Sequence, residues 1–106
     1  TTSRVPLLPV ALRADLLAIG VGAFRPQMAE LPPGLLHARR VIVDDLAGAR
    51  HEAGDLIQAG VDWSGVSELA DWLDESPPEA AAPVFKSVGQ AAWDLAAAHV
   101  GLRSLH

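Results

Sequence analysis

Hydrophobic positions along the chain fall into short continuous runs separated by amphipathic stripes. Asp15–Gly22 (DLLAIGVG) is an apolar run closed by glycines, the pattern of a strand buried on both faces of a parallel sheet. Arg39–Asp45 (RRVIVDD) repeats it with three β-branched residues ending in carboxylates, and Pro83–Ser87 is a third, shorter run. Between these runs the period becomes helical. Pro33 can open a short helix through His37. Leu46–Ala53 reads as a second helix, with Asp44 or Asp45 as acceptor for its first amides. Over Ser64–Leu73, Val66, Leu69, Ala70 and Leu73 recur at i, i+3, i+4 and i+7, behind Ser64 or Ser67 as cap. Gln90–Leu102 is alanine-rich and sets Trp93, Ala97 and Val100 on one stripe. Thr1–Pro9 and Asp74–Ala82 are proline-bearing connections, and Pro26, Pro32 and Pro33 forbid a long helix over Phe24–Leu31.

Strands alternating with helices define an α/β class with a parallel sheet. Three strands are a thin basis for such a sheet, so neighbouring strands are expected in a longer protein. The chain opens Thr1-Thr2-Ser3-Arg4 and its sole methionine is Met28, which leads to the same expectation.

The chain has 106 residues, half of them hydrophobic and a fifth charged, enough for one buried core and unlike the composition of a disordered segment. Its net charge of −5 is spread along the chain and offers no phosphate-binding face, which argues against a nucleic-acid partner. The absence of cysteine excludes disulfides, thiolate nucleophiles and cysteine-based zinc sites, and leaves the redox compartment open. The apolar stretches Leu16–Phe24 and Ala91–Val100 fall short of the roughly 20 residues that span a bilayer, and no signal-peptide pattern opens the chain.

Gly20-Val21-Gly22 after a strand, with Asp44 ending the next one, imitates a dinucleotide fingerprint. The imitation fails, because Arg25 takes the third glycine's place and Pro26 and the Leu31-Pro32-Pro33 break leave no long helix to receive a pyrophosphate. A sharp turn after a buried strand accounts for the glycines. His37, His51, His99 and His106 are too scattered for a local metal-ligand pattern, and no metal is assigned. Asp44 and Asp45 read as cap and solvated carboxylate rather than a catalytic pair. Trp63, Trp72 and Trp93 read as core aromatics. Glu52–Asp55 (EAGD) reads as a helix terminus at Gly54, with contact to an active site as the rival. Ser87 has no His or Asp in a recognisable relation to it and is not a nucleophile.

Taken together, GVGAFRPQMAEL (Gly20–Leu31), RRVIVDD (Arg39–Asp45), EAGDLIQAG (Glu52–Gly60) and VFKSVGQAAWDLAAA (Val84–Ala98) resemble the C-terminal part of the ornithine cyclodeaminase/mu-crystallin family. The blocks stand in the family's order with similar spacing and cover nearly the whole chain. The resemblance implies an NAD(P)-dependent, homodimeric, cytoplasmic parent. Its fold would be a Rossmann-like parallel sheet flanked by helices, with the pyrophosphate loop upstream. Residues 1–88 would then be the C-terminal half of that domain, and residues 89–106 the C-terminal helix returning toward a dimerisation domain.

The same resemblance assigns cofactor contacts to Thr2, Val21, Gly22, Ala23, Phe24 and Ser87 and a substrate contact to Val88. It gives Lys86 no role. Members that cyclise and deaminate ornithine carry an Asp at the place of Phe24 and a lysine at the place of Met28. Neither side chain present here transfers protons or makes a charge-assisted contact. The implied activity is therefore reduction of a cyclic imino acid, or amino-acid dehydrogenation, by the whole protein, with a small amino or imino acid as substrate. Ornithine cyclodeamination and a mu-crystallin-like binding role are the alternatives, and a self-contained interaction domain is a third. An isolated fragment is expected to be inactive and to self-associate.

Overall fold

The computed structural model describes residues 1–74 and 81–105. Most of the proline-rich connection expected over Asp74–Ala82 lies outside the described residues. Four strands form one parallel sheet: β1 (Ala18–Gly20), β2 (Val41–Val43), β3 (Ser67–Glu68) and β4 (Val84–Lys86), in the spatial order β1-β4-β2-β3. Ala18 pairs with Val84 and Gly20 with Lys86, while Val41 and Val43 flank the same two β4 residues from the other side. All four strands therefore end at the same edge of the sheet.

One face of the sheet is covered by α1 (Pro33–Ala38), α2 (Leu46–Glu52) and α3 (Gly54–Ala59). Ala18, Val41, Val43 and Val84 meet Leu35, Leu36, Ala49, Ala53 and Leu56 there, with Val61 and Val66 closing the core. α1 carries its proline in the first turn, where the missing N–H costs nothing. Asp45 caps α2 by accepting from the Gly48 amide at 2.7 Å. Gly60 ends α3 in the left-handed conformation (φ 63°) that favours glycine.

The opposite face carries the row Ile19, Phe85 and Ile42. Among the described residues α4 (Leu69–Trp72) packs against part of it, leaving an apolar groove of about 330 Å³ lined by Leu17, Ile19, Ile42, Leu69, Trp72, Pro83 and Phe85. Leu17 and Ile19 are more than half exposed. The expectation that Asp15–Gly22 is buried on both faces is thus corrected. Only Ala18–Gly20 pairs, because the strand beside it is three residues long, and β1 is an edge.

Ser64–Leu73 is not one helix. Asp62 accepts from the Ser64 amide and caps a 3-10 turn over Trp63–Gly65, Val66 turns into the core, and Ser67–Glu68 pairs with β2 before α4 begins. α3 was unforeseen: Gly54 starts a helix instead of ending one. α5 (Ala91–Ser104) forms as expected but is exposed at every residue, so Trp93 is not a core aromatic. Trp63 is partly buried against the core, with the Arg50 guanidinium 5.8 Å from its ring centre. Among the described residues no helix is long and apolar enough to cross a membrane.

Candidate functional site at the carboxyl ends of the strands

In open parallel sheets ligands bind outside the carboxyl ends of the strands. At that edge β1 runs into Val21–Phe24, β2 into Asp44 and β4 into Ser87–Gly89. The Ser87 amide donates to the Gly20 carbonyl at 2.9 Å, which brings the first and last of these segments side by side. Gly22 is required by close approach: a Cβ there would stand 1.8 Å from the Thr1 carbonyl oxygen.

Asp44 organises the turn after β4. Its carboxylate accepts from the Ser87 hydroxyl at 2.6 Å, the Gly89 amide at 3.0 Å and the Val88 amide at 3.3 Å. Gly89 has φ 82°, so the chain can double back onto that carboxylate. Beside this turn lies a concavity of about 630 Å³, with apolar walls from Leu69, Phe85 and Trp93 and polar groups from Asp44, Ser87, Gln90 and Asp94. Neither lysine nor arginine is among its lining residues.

Beneath the edge lies a buried charge cluster. Lys86 is fully buried, with its Nζ 3.4 Å from Asp55 Oδ2 and 3.7 Å from Glu30 Oε1. Glu30 Oε1 accepts from the Gly22 amide at 2.6 Å and the Ala23 amide at 3.1 Å, and Oε2 is bonded by the Thr1 amino group. Asp55 Oδ1 accepts from the Leu31 amide at 2.8 Å and from the Glu30 amide. Buried carboxylates are thereby paired both with a cation and with backbone donors, as burial demands.

Burial pushes the Glu30 carboxyl up, but the Thr1 amino group and the Gly22 and Ala23 amides outweigh it and hold it at about 2. A depressed folded-state value stabilises the fold above the ordinary value of 4.5, and that contribution is lost as pH falls from there toward 2. In the 106-residue chain, where Thr1 carries a free amino group, urea midpoints are therefore expected to hold steady down to about pH 5 and to decline below it, with a shallower decline in Glu30→Gln. An identical acid limb in the variant would contradict this assignment.

The expected cofactor residues separate into three groups. Val21 and Phe24 present apolar surface beside β1, Phe24 being 41% exposed with the Arg25 guanidinium 5.2 Å from its ring centre. Gly22 and Ala23 turn their amides inward to Glu30, and Ala23 is wholly buried. Ser87 alone among the expected residues lines the concavity; Val88 packs partly against the core and Thr2 is exposed. Asp45 is the cap the sequence implied, whereas Asp44 has the larger, unforeseen role of holding the Ser87–Gly89 turn. Asp55 and Lys86 were missed. The available signal was a lysine inside an apolar strand run, which needs a buried carboxylate to face it.

The fold and this edge define a Rossmann-like α/β unit. The chain superimposes on a probable ornithine cyclodeaminase from Bordetella pertussis Tohama I with TM-score 0.85 and 33% identity, over 99% of this chain and 37% of that one. It also shares the fold of a Delta(1)-pyrroline-2-carboxylate reductase from Thermococcus litoralis, solved with NADH and L-proline (TM-score 0.73, 24% identity, 84% and 31% of the two chains). In sequence it is 54% identical over 97 residues to a Delta(1)-pyrroline-2-carboxylate/Delta(1)-piperideine-2-carboxylate reductase from Azospirillum brasilense, covering 92% of this chain and 31% of the relative. The chain is thus a homologue of one stretch of the Delta(1)-pyrroline-2-carboxylate reductases and spans about a third of their length. No family model matches it.

Proposed function

We propose that this chain is the carboxyl-terminal part of a dimeric NAD(P)-dependent reductase of cyclic imino acids. The observation that carries this reading is the 54% identity to the Azospirillum reductase across nearly the whole chain. A phenylalanine at position 24 supports it: the carboxyl end of β1 offers a half-exposed aromatic where ornithine-cyclising members present a carboxylate. The concavity fits one end of the cofactor. Its apolar walls and few polar groups suit a flat amide-bearing ring.

A nicotinamide supplies a hydride for the C=N carbon when bound. The chain's own residues would orient and shield. Val21 and Phe24 provide an apolar rim that excludes water. Ser87, its proton committed to Asp44, keeps oxygen lone pairs for a donor on the ligand, while Thr2 and Val88 complete the contacts. The 106-residue chain alone, without a glycine-rich phosphate loop in its sequence, is expected to be inactive.

Phe24→Asp in the longer polypeptide that carries this segment is expected to lower imine reduction at least about tenfold, by placing a charge beside the ring. Undiminished imine reduction in the variant would count against the placement of Phe24 at the site. The uncovered apolar face and the β1 edge further imply that the isolated chain self-associates. Size-exclusion chromatography with light scattering should show mass rising with concentration; a monomer throughout would contradict this.

A further inference from the structure

Lys86 ends the central strand β4, is fully buried, and its Nζ has no hydrogen bond among the described residues. An ammonium held between two carboxylates rarely stabilises a fold more than an apolar side chain of the same volume would. What the charge adds is placement. Glu30 and Asp55, the two carboxylates it faces, each grip a pair of backbone amides: Gly22 with Ala23, and Glu30 with Leu31. Lys86 is also bonded through the chain to Ser87, whose hydroxyl and amide are fixed by Asp44 and Gly20. One cation therefore stands at the junction of the segment after β1, the start of α3 and the turn after β4.

We propose that Lys86 is a positioning residue for the reaction, acting through Glu30 to fix the Val21–Phe24 backbone against the Ser87 turn where the nicotinamide ring and imino acid meet. This rests on the reductase reading above. Lys86 touches neither ligand, and its effect is on the geometry of groups that do. Small misplacements of such groups cost rate steeply, up to about a hundredfold for 1 Å.

The test compares Lys86→Met, Glu30→Ala and Glu30→Gln in the longer polypeptide, with Arg39→Met as a structural control. Arg39 bonds the Leu12, Arg13, Leu16 and Ala82 carbonyls at the far end of the sheet, away from the site. Lys86→Met and Glu30→Ala are expected to lower kcat for imine reduction by about ten- to a hundredfold. Glu30→Gln, which keeps an oxygen for the Gly22 and Ala23 amides, should recover most of that loss. Arg39→Met should lower Tm and leave kcat and KM unchanged in the folded protein.

Loss of Tm without change in kcat or KM for Lys86→Met and Glu30→Ala would overturn the proposal. If Lys86→Met does not fold, the Glu30 pair decides by the same criterion. A wild type that reduces no cyclic imino acid defeats the reductase reading, and NADH affinity by fluorescence titration then decides the positioning role. The same ordering of variants in Kd supports it, equal Kd values overturn it, and a wild type that binds no NADH overturns both.

Discussion

Asp55→Ala is expected to destabilise the protein by about 3–5 kcal/mol, the range found when one partner of a buried ion pair is removed. Asp55 is 1% exposed and lies 3.4 Å from a lysine that is itself fully buried. Alanine leaves that ammonium with only Glu30 at 3.7 Å and strips the acceptor from the Glu30 and Leu31 amides. With a urea m-value of about 1–2 kcal/mol/M, the midpoint should fall by at least about 1.5 M. A second substitution isolates the cause: Lys86→Met added to Asp55→Ala removes the orphaned cation and should restore part of the loss, a coupling a double-mutant cycle measures directly. Strict additivity of the two changes would show that the pair is not energetically linked.

Gly54→Ala, one residue earlier, is expected to cost about 3 kcal/mol or more by a different route. A Cβ on Gly54 would stand 2.0 Å from the Met28 carbonyl oxygen and 2.3 Å from that of Arg25. Both obstacles are backbone, so no rotamer relieves the clash. The Arg25–Met28 turn must shift away from α3, and with it the Glu30 carboxylate that holds the Gly22 and Ala23 amides. The urea midpoint should fall, and amide exchange at Gly22 and Ala23 should quicken more than at Val41–Val43 in β2. A midpoint within experimental error of wild type would mean that α3 and the turn are not packed as described.

The α/β class and the parallel sheet were legible because continuous apolar runs alternate with helical stripes along the chain. Element limits were less so, since they are set by partners. Leu16 and Leu17 continue the β1 pattern yet have no β4 residue opposite them. Ser64–Leu73 has helical spacing, but Val66 is drawn into the core and Ser67–Glu68 finds β2, and tertiary pairing overrides periodicity. Trp93 shows the converse: a good helical stripe fixes a helix without fixing what, if anything, covers it.

At the site, the sequence placed Val21–Phe24 and Ser87–Val88 near one another only through the family resemblance. The geometry joins them through the Ser87 amide and the Gly20 carbonyl. Asp44, read as capping or solvated, holds three donors from a turn more than forty residues away. The Glu30–Lys86–Asp55 cluster joins positions 25 to 56 residues apart, and no local pattern records which carboxylates will face a buried lysine.

NADH and NADPH oxidation by the longer polypeptide with Delta(1)-pyrroline-2-carboxylate, followed beside L-ornithine with NAD, separates imine reduction from ornithine cyclodeamination. Oxidation that depends on the imino acid is expected, with no ammonia from ornithine. Ammonia release from ornithine by the unaltered protein, or tight cofactor binding with no turnover of any cyclic imino acid, would contradict the reductase reading.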